Sequence, residues 1–163
     1  MQATDNLHDR DAHMTWRHRG RTLGRGQSLV EFALIAPVLI LLLLGLFDFG
    51  RAIYALNAIS NAAREGARVA IVDQTVTGGV PVAATEAANQ ATALGLNPTD
   101  ANQVRVLYQL PDLSATCPNH GVGCVAEVRV QYRFQAITPV VGAIIGPMTL
   151  SSTTQIPIER TYP

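Results

Sequence analysis

The 163-residue sequence contains no lysine. All twelve of its basic residues are arginine, twelve acidic residues match them, and the formal net charge is zero. Nothing in that balance points to a phosphate backbone, so nucleic acid is not an expected partner. Charged residues make up only 15% of the chain, against about a quarter in ordinary soluble domains. The deficit is local, because much of the apolar content is gathered into one run. Histidine is scarce as well: His8, His13 and His18 lie near the start, and only His120 lies further on. There is no Gly-rich phosphate loop of the Walker kind, no His-Glu-x-x-His pair and no Gly-x-Ser-x-Gly turn. The residue sets that usually carry phosphoryl transfer, zinc hydrolysis or acyl transfer are therefore missing. No enzyme activity, no cofactor and no small-molecule substrate is expected.

The apolar run is Phe32 to Phe47, FALIAPVLILLLLGLF, with no charge in it. Ser28, Leu29 and Val30, on the far side of Glu31, extend it to about 20 residues, enough to span a hydrocarbon core. A buried globular helix of this length needs a large core around it, and the rest of the chain is too small and polar to supply one. A transmembrane helix over 27–47 is the expectation. Pro37 removes one backbone bond and is expected to kink the helix, which membrane helices tolerate. Arg17, Arg19, Arg21 and Arg25 precede the run, whereas Asp48 and a single Arg51 follow it. That asymmetry keeps the N-terminal side cytoplasmic and sends the C-terminal portion outward. A cleaved secretory signal would have a shorter apolar core followed by a small-residue cleavage site; here an amphipathic stretch follows directly.

Glu31 is the one charge at membrane depth, where an ionised carboxylate is costly and usually marks a function or a partner. The bland alternative is a carboxylate hydrated at the headgroup boundary. Around it the chain reads Gly26, four residues Gln27 to Val30, then Glu31 and Phe32. This resembles the processing site of type IV prepilins, in particular the Tad/Flp class, in which a membrane aspartyl peptidase cuts after the glycine. The resemblance implies a leader over 1–26, a mature start at Gln27, and Glu31 as the fifth mature residue. Phe32 stands where many members carry Tyr. Cleavage would create an α-amino group at Gln27, and this cation can pair with a neighbour's Glu31 inside an apolar helix bundle. Each charge would offset the other's desolvation, favouring one register of docking. Glycine suits the cut because a peptidase must approach the backbone closely.

Beyond the run, Phe49, Ile53, Leu56, Ile59, Ala63, Ala67 and Ala70 alternate at helical spacing with Arg51, Tyr54, Asn57, Asn61, Arg64 and Arg68. This predicts an amphipathic helix over 48–72 that continues the anchor, one long helix from about Leu29 to Ile71. Asp48-Phe49-Gly50-Arg51, followed by Ala63-Arg64-Glu65-Gly66-Ala67-Arg68, resembles the N-terminal signature of TadE-like proteins, pseudopilins of the tight-adherence pilus apparatus. The resemblance covers roughly residues 24–72. The structural alternative for Arg64, Glu65 and Arg68 is a solvated helix face with Arg64–Arg68 repulsion eased by Glu65. Ala62, Ala63 and Ala67 would permit close packing against neighbouring helices.

Residues 73–163 form the expected extracytoplasmic head. Gly78-Gly79 predicts a loop, and Pro81 opens an Ala-rich helix over Val82–Leu94 closed by Gly95. Strands are expected at Val104–Gln109, at Ala126–Gln135, which has the cleanest period-two pattern, and at Leu150–Ile158, where Pro157 implies an edge or an end. Thr138 to Ile145 predicts a short apolar helix. Cys117 and Cys124 lie in the loop joining the first two strands, and in an exported head they are expected to form a disulfide. With His120 they would offer only three metal ligands, so no metal site is expected.

The expected fold is α+β and pilin-like: a long N-terminal transmembrane helix, a small helix and an antiparallel sheet of about three strands. The resemblance implies a non-catalytic TadE-like pseudopilin of the cytoplasmic membrane, taking part in assembly of a Tad/Flp pilus. Its expected partners are membrane lipid, other pilin and pseudopilin subunits, the Tad assembly platform and the prepilin peptidase. The alternative is an uncleaved, membrane-anchored binding module whose head recognises an envelope ligand; retention of 1–26 would separate it from the pseudopilin.

Overall fold

The computed structural model describes residues 24–118 and 120–159. Most of the basic leader, including Arg17, Arg19, Arg21 and the first three histidines, lies outside them. Two compact units meet at Pro37 and Val38. The first contributes only the opening turns of helix α1 (Gly24–Ala70); the second holds the rest of that helix and the head. Leu, Ile and Ala dominate α1 and the helix continues through Pro37. It begins earlier than the apolar periodicity indicates, at Gly24 instead of near Leu29.

Within α1 one window reaches a mean hydropathy of 2.7, and none of that window is buried. The helix is thus long and apolar enough to cross a membrane. A core helix of a soluble protein would pass the same test of composition but would be covered. Here Leu34, Val38, Leu42, Leu46 and Phe47 are all exposed, so these apolar side chains find no core among the described residues.

The end of α1 is held by local bonds. The amides of Val72 and Asp73 both donate to the Val69 carbonyl, and the Asp73 carboxylate accepts from the Thr75 amide and hydroxyl at 2.9 and 2.6 Å. The stretch expected to be a loop at Gly78-Gly79 is a minimal hairpin of strands β1 (Val76–Thr77) and β2 (Val80–Pro81). Gly78 and Gly79 have φ of +62° and +83°. A two-residue hairpin turn with positive φ at both positions demands such residues. Two-residue strands are too short to show any periodicity, which is why the pattern reveals a turn and not a pairing.

Helix α2 (Val82–Gln90) follows Pro81 directly. A 3-10 turn over Thr92–Leu94 continues it, and Gly95 closes that turn in the left-handed conformation at φ +62°. The three remaining strands, β3 (Val104–Gln109), β4 (Val125–Phe134) and β5 (Met148–Pro157), form one antiparallel sheet in the order β3-β4-β5. Val106 pairs with Val128, and Val128 with Thr154. Pro157 is the last residue of an edge strand, where its missing N–H breaks no ladder. Helix α3 (Pro139–Ile145) lies in the β4–β5 connection. These are the expected elements: a long apolar helix, a small helix and an antiparallel sheet, making an α+β fold.

The core lies where the C-terminal half of α1 meets α2 and the sheet. Ile59, Ala62, Ala63, Ala67 and Ala70 of α1 are fully buried, as are Ala83 and Ala87 of α2 and Ala126, Val128 and Val130 of β4. The inward set on β4 falls on alternate residues, as a half-buried strand requires. Small side chains on both helices let their backbones approach closely.

The apolar series of α1 is not covered along its whole length. Phe49, Ile53 and Leu56 share the helical spacing of Ile59 and Ala63, yet they are 63%, 42% and 38% exposed. The buried line runs instead through Ala55, Ile59, Ala62, Ala63, Gly66, Ala67 and Ala70. The head covers only the narrow Ala-rich strip, and the larger apolar residues near the apolar run stay uncovered beside it. The Ala62, Ala63 and Ala67 side chains pack inside this subunit, so they are not free to pack against neighbouring helices.

Candidate functional site

Three groups of motif residues lie on α1. The first is the group from Gly26 to Phe32. Gly26, Gln27, Glu31 and Phe32 all fall in its opening turns, and the Gln27 side-chain amide donates to Glu31 Oε1 at 3.3 Å, one turn on. Phe32 is 65% exposed. A Cβ placed on Gly26 would meet nothing within 4 Å. Among the described residues nothing packs closely enough to require glycine there.

The second group is Asp48-Phe49-Gly50-Arg51, where the apolar run ends. Asp48 is only 3% exposed. Its carboxylate accepts from the backbone amides of Ile137 at 3.0 Å and Thr138 at 2.9 Å, one on each oxygen. Arg51 Nη1 stands 3.5 Å from Asp48 Oδ1, and the guanidinium carbon lies 5.6 Å from the centre of the Phe134 ring. Burying a carboxylate is tolerable only with such partners. The two amides belong to the turn leading into α3, and Asp48 takes the N–H of the N-cap residue Thr138 and of the residue before it, fixing how the chain enters that helix. Asp48 and Arg51 together fasten the β4–α3 corner of the head to α1. Phe49 points outward, and a Cβ on Gly50 would meet nothing within 4 Å.

The third group is Ala63 to Arg68. Ala63, Gly66 and Ala67 face the core. A Cβ on Gly66 would lie 2.9 Å from Ala87 Cβ, 3.0 Å from the Ala83 carbonyl oxygen and 3.2 Å from Val128 Cγ1. Only glycine lets α2 and β4 come this close. Arg64 and Arg68 are exposed, and Arg68 stands 3.5 Å from Glu65. That pair is solvated and contributes little to stability.

At the far end of the head, Cys117 and Cys124 are disulfide-bonded, with Cα atoms 6.1 Å apart. His120 stacks on Tyr108 with ring centres 4.2 Å apart, and its carbonyl accepts from the Gln74 side-chain amide at 2.6 Å. The Tyr108 hydroxyl donates to the Ala70 carbonyl at 3.3 Å, capping the last turn of α1. Burial, and then the nearby Asp73 charge, push the Tyr108 phenol up. The Thr75 hydroxyl, and then its amide, hold the Asp73 carboxyl below the ordinary carboxylate range. Among the described residues no three His, Cys, Asp or Glu side chains gather as metal ligands would.

Asp48's partners could not be read from the sequence. They lie 89 and 90 residues away and are backbone amides, which no side-chain pattern announces. The signals the sequence does carry are a lone acid directly after an apolar run and its place in the Asp48-Phe49-Gly50-Arg51 motif, and neither points to a bond with the head.

Taken together, these features define an α+β protein carried on one helix, apolar and uncovered toward one end and buried beneath a head at the other. Residues 26–68 match the family model described as TadE-like protein. The match spans all three motif groups and stops before the head. That family is a pilus-associated structural one, so the resemblance drawn from the motifs holds over this segment. Neither a curated protein nor a solved structure matches the chain.

Proposed function

We propose that this chain is a pseudopilin that takes part in assembling a tight-adherence pilus, anchored in the cytoplasmic membrane with its N-terminus inside and its head outside. The match over residues 26–68 carries the reading, because that segment holds Glu31, the exposed apolar run and both later motifs in family order. In this reading the prepilin peptidase cuts between Gly26 and Gln27. The new α-amino group pairs with Glu31 of a neighbouring pilin or pseudopilin as the apolar helices bundle. Among the described residues nothing lies within 4 Å of a Cβ on Gly26, which agrees with glycine serving there for the approach of a peptidase to the backbone. The assembly platform meets the protein through its membrane helix and the surface outside the buried Ala strip.

The test is the N-terminal sequence of the protein purified from its host's membranes. A start at Gln27 is expected, with Glu31→Ala then blocking pilus assembly but not insertion. A start upstream of Gln27 would refute the processing step and leave an uncleaved anchored binding module.

A further inference from the structure

We infer that α3 is a second membrane-contacting element, lying in the outer lipid interface beside the point where α1 leaves the bilayer. The inference rests on the anchored reading above, and three observations carry it.

First, residues 136–148 contain no charged side chain, and none of the α3 side chains is buried. Ile137, Val140, Ile144 and Ile145 are 65%, 48%, 79% and 55% exposed. A seven-residue helix made almost wholly of Val, Ile, Ala and Gly that adds nothing to the core requires another apolar medium.

Second, α3 sits beside the end of the apolar run. Gly45, Asp48, Phe49 and Ile53 of α1 line an apolar groove of about 410 Å³ together with Val141 and Ile145 of α3. Val141 Cγ2 would lie 3.9 Å from a Cβ on Gly45. The exposed surface of α3 is therefore continuous with the uncovered apolar surface of α1 around Phe47 and Phe49.

Third, four backbone amides of this corner are already paired. Asp48 takes the Ile137 and Thr138 amides, Gly142 N–H donates to the Thr138 carbonyl, and Gly146 N–H to that of Gly142. An element at the edge of hydrocarbon needs its polar groups paired internally.

A second copy of the chain is the competing occupant. Seven residues fall short of the roughly 800 Å² per partner that a stable protein interface buries. A protein partner would also have to cover α3 while lipid covered the adjoining Phe47 and Phe49.

The experiment uses the full chain with Trp16→Phe, reconstituted in phosphatidylcholine vesicles whose acyl chains are brominated near the headgroup. Tryptophan is introduced singly at Ile144, at Val140, at Leu42 in the apolar run, and at Val122. Val122 adjoins the opposite end of β4, a strand of ten residues, or about 30 Å away. The fluorescence of Ile144→Trp and Val140→Trp should fall about twofold or more relative to unbrominated vesicles, and that of Val122→Trp should not change. If neither α3 probe is quenched more than Val122→Trp while Leu42→Trp is quenched, the inference is overturned and the anchor stands. An unquenched Leu42→Trp overturns the anchored reading and this inference with it. A blue-shifted, unquenched α3 probe whose emission depends on protein density identifies a second copy as the occupant, which also overturns it.

Discussion

Replacing Gly66 with alanine sets two effects against each other, and the structure decides between them. In a helix interior alanine is favoured over glycine by about 1 kcal/mol. At Gly66 the added Cβ would arrive 2.9 Å from Ala87 Cβ and 3.0 Å from the Ala83 carbonyl oxygen. Neither atom is the free end of a flexible side chain, so α2 itself must move, and overpacking of this kind costs about 1–3 kcal/mol. The net expectation for Gly66→Ala is a loss of about 1 kcal/mol, or a Tm lower by about 4–8 °C for a head of this size. Gly66→Val adds two further carbons to the same space and should lose several-fold more. Gly50→Ala is the control, because a Cβ there meets nothing, and it should gain close to the full propensity term. The assay is thermal unfolding of the full chain in detergent micelles, followed by near-ultraviolet circular dichroism. Stabilisation by Gly66→Ala equal to that by Gly50→Ala would refute the close approach of α1 and α2.

Asp48→Asn keeps the shape but leaves an NH2 group facing one of two amide donors. Hydrogen exchange at Ile137 and Thr138 should quicken by about tenfold or more, while exchange at Val128 stays unchanged. Reducing the Cys117–Cys124 disulfide, a seven-residue separation, should remove about 2.5 kcal/mol in the chain-entropy model, seen as a lower Tm in dithiothreitol. Asp73 has a depressed pKa when folded, so its contribution is present above the unfolded value of about 4 and is lost as pH falls through the folded one. Thr75→Val should move its NMR titration upward. The raised Tyr108 phenol works at the other extreme: its contribution is whole below pH of about 10 and is lost as pH rises through the folded value.

The elements with a repeating pattern were legible in the sequence. The alternation from Ala126 to Phe134 gave β4, and Pro81 and Gly95 bracketed α2 and its final turn. The apolar run and the motifs around it led to the family that the match supports. Three things were not legible. The β1–β2 hairpin is too short for any period. The strip Ala62 to Ala70 announces close packing but not its partner, and the partner is the head of the same subunit. Phe49, Ile53 and Leu56 have core-like residue types but lie beside α3, so only the fold could show that the head leaves them bare.

The head grips α1 at two separated points, Asp48 on the Ile137 and Thr138 amides and Tyr108 on the Ala70 carbonyl. Their separation of 22 residues along α1 makes a lever of about 33 Å. A body fixed to a rod at one point can swivel, whereas one fixed at both ends can only travel with it. Torque or thrust applied to this part of the helix would therefore reach the sheet without slack, and any reorientation of the head would first have to break one of the two grips.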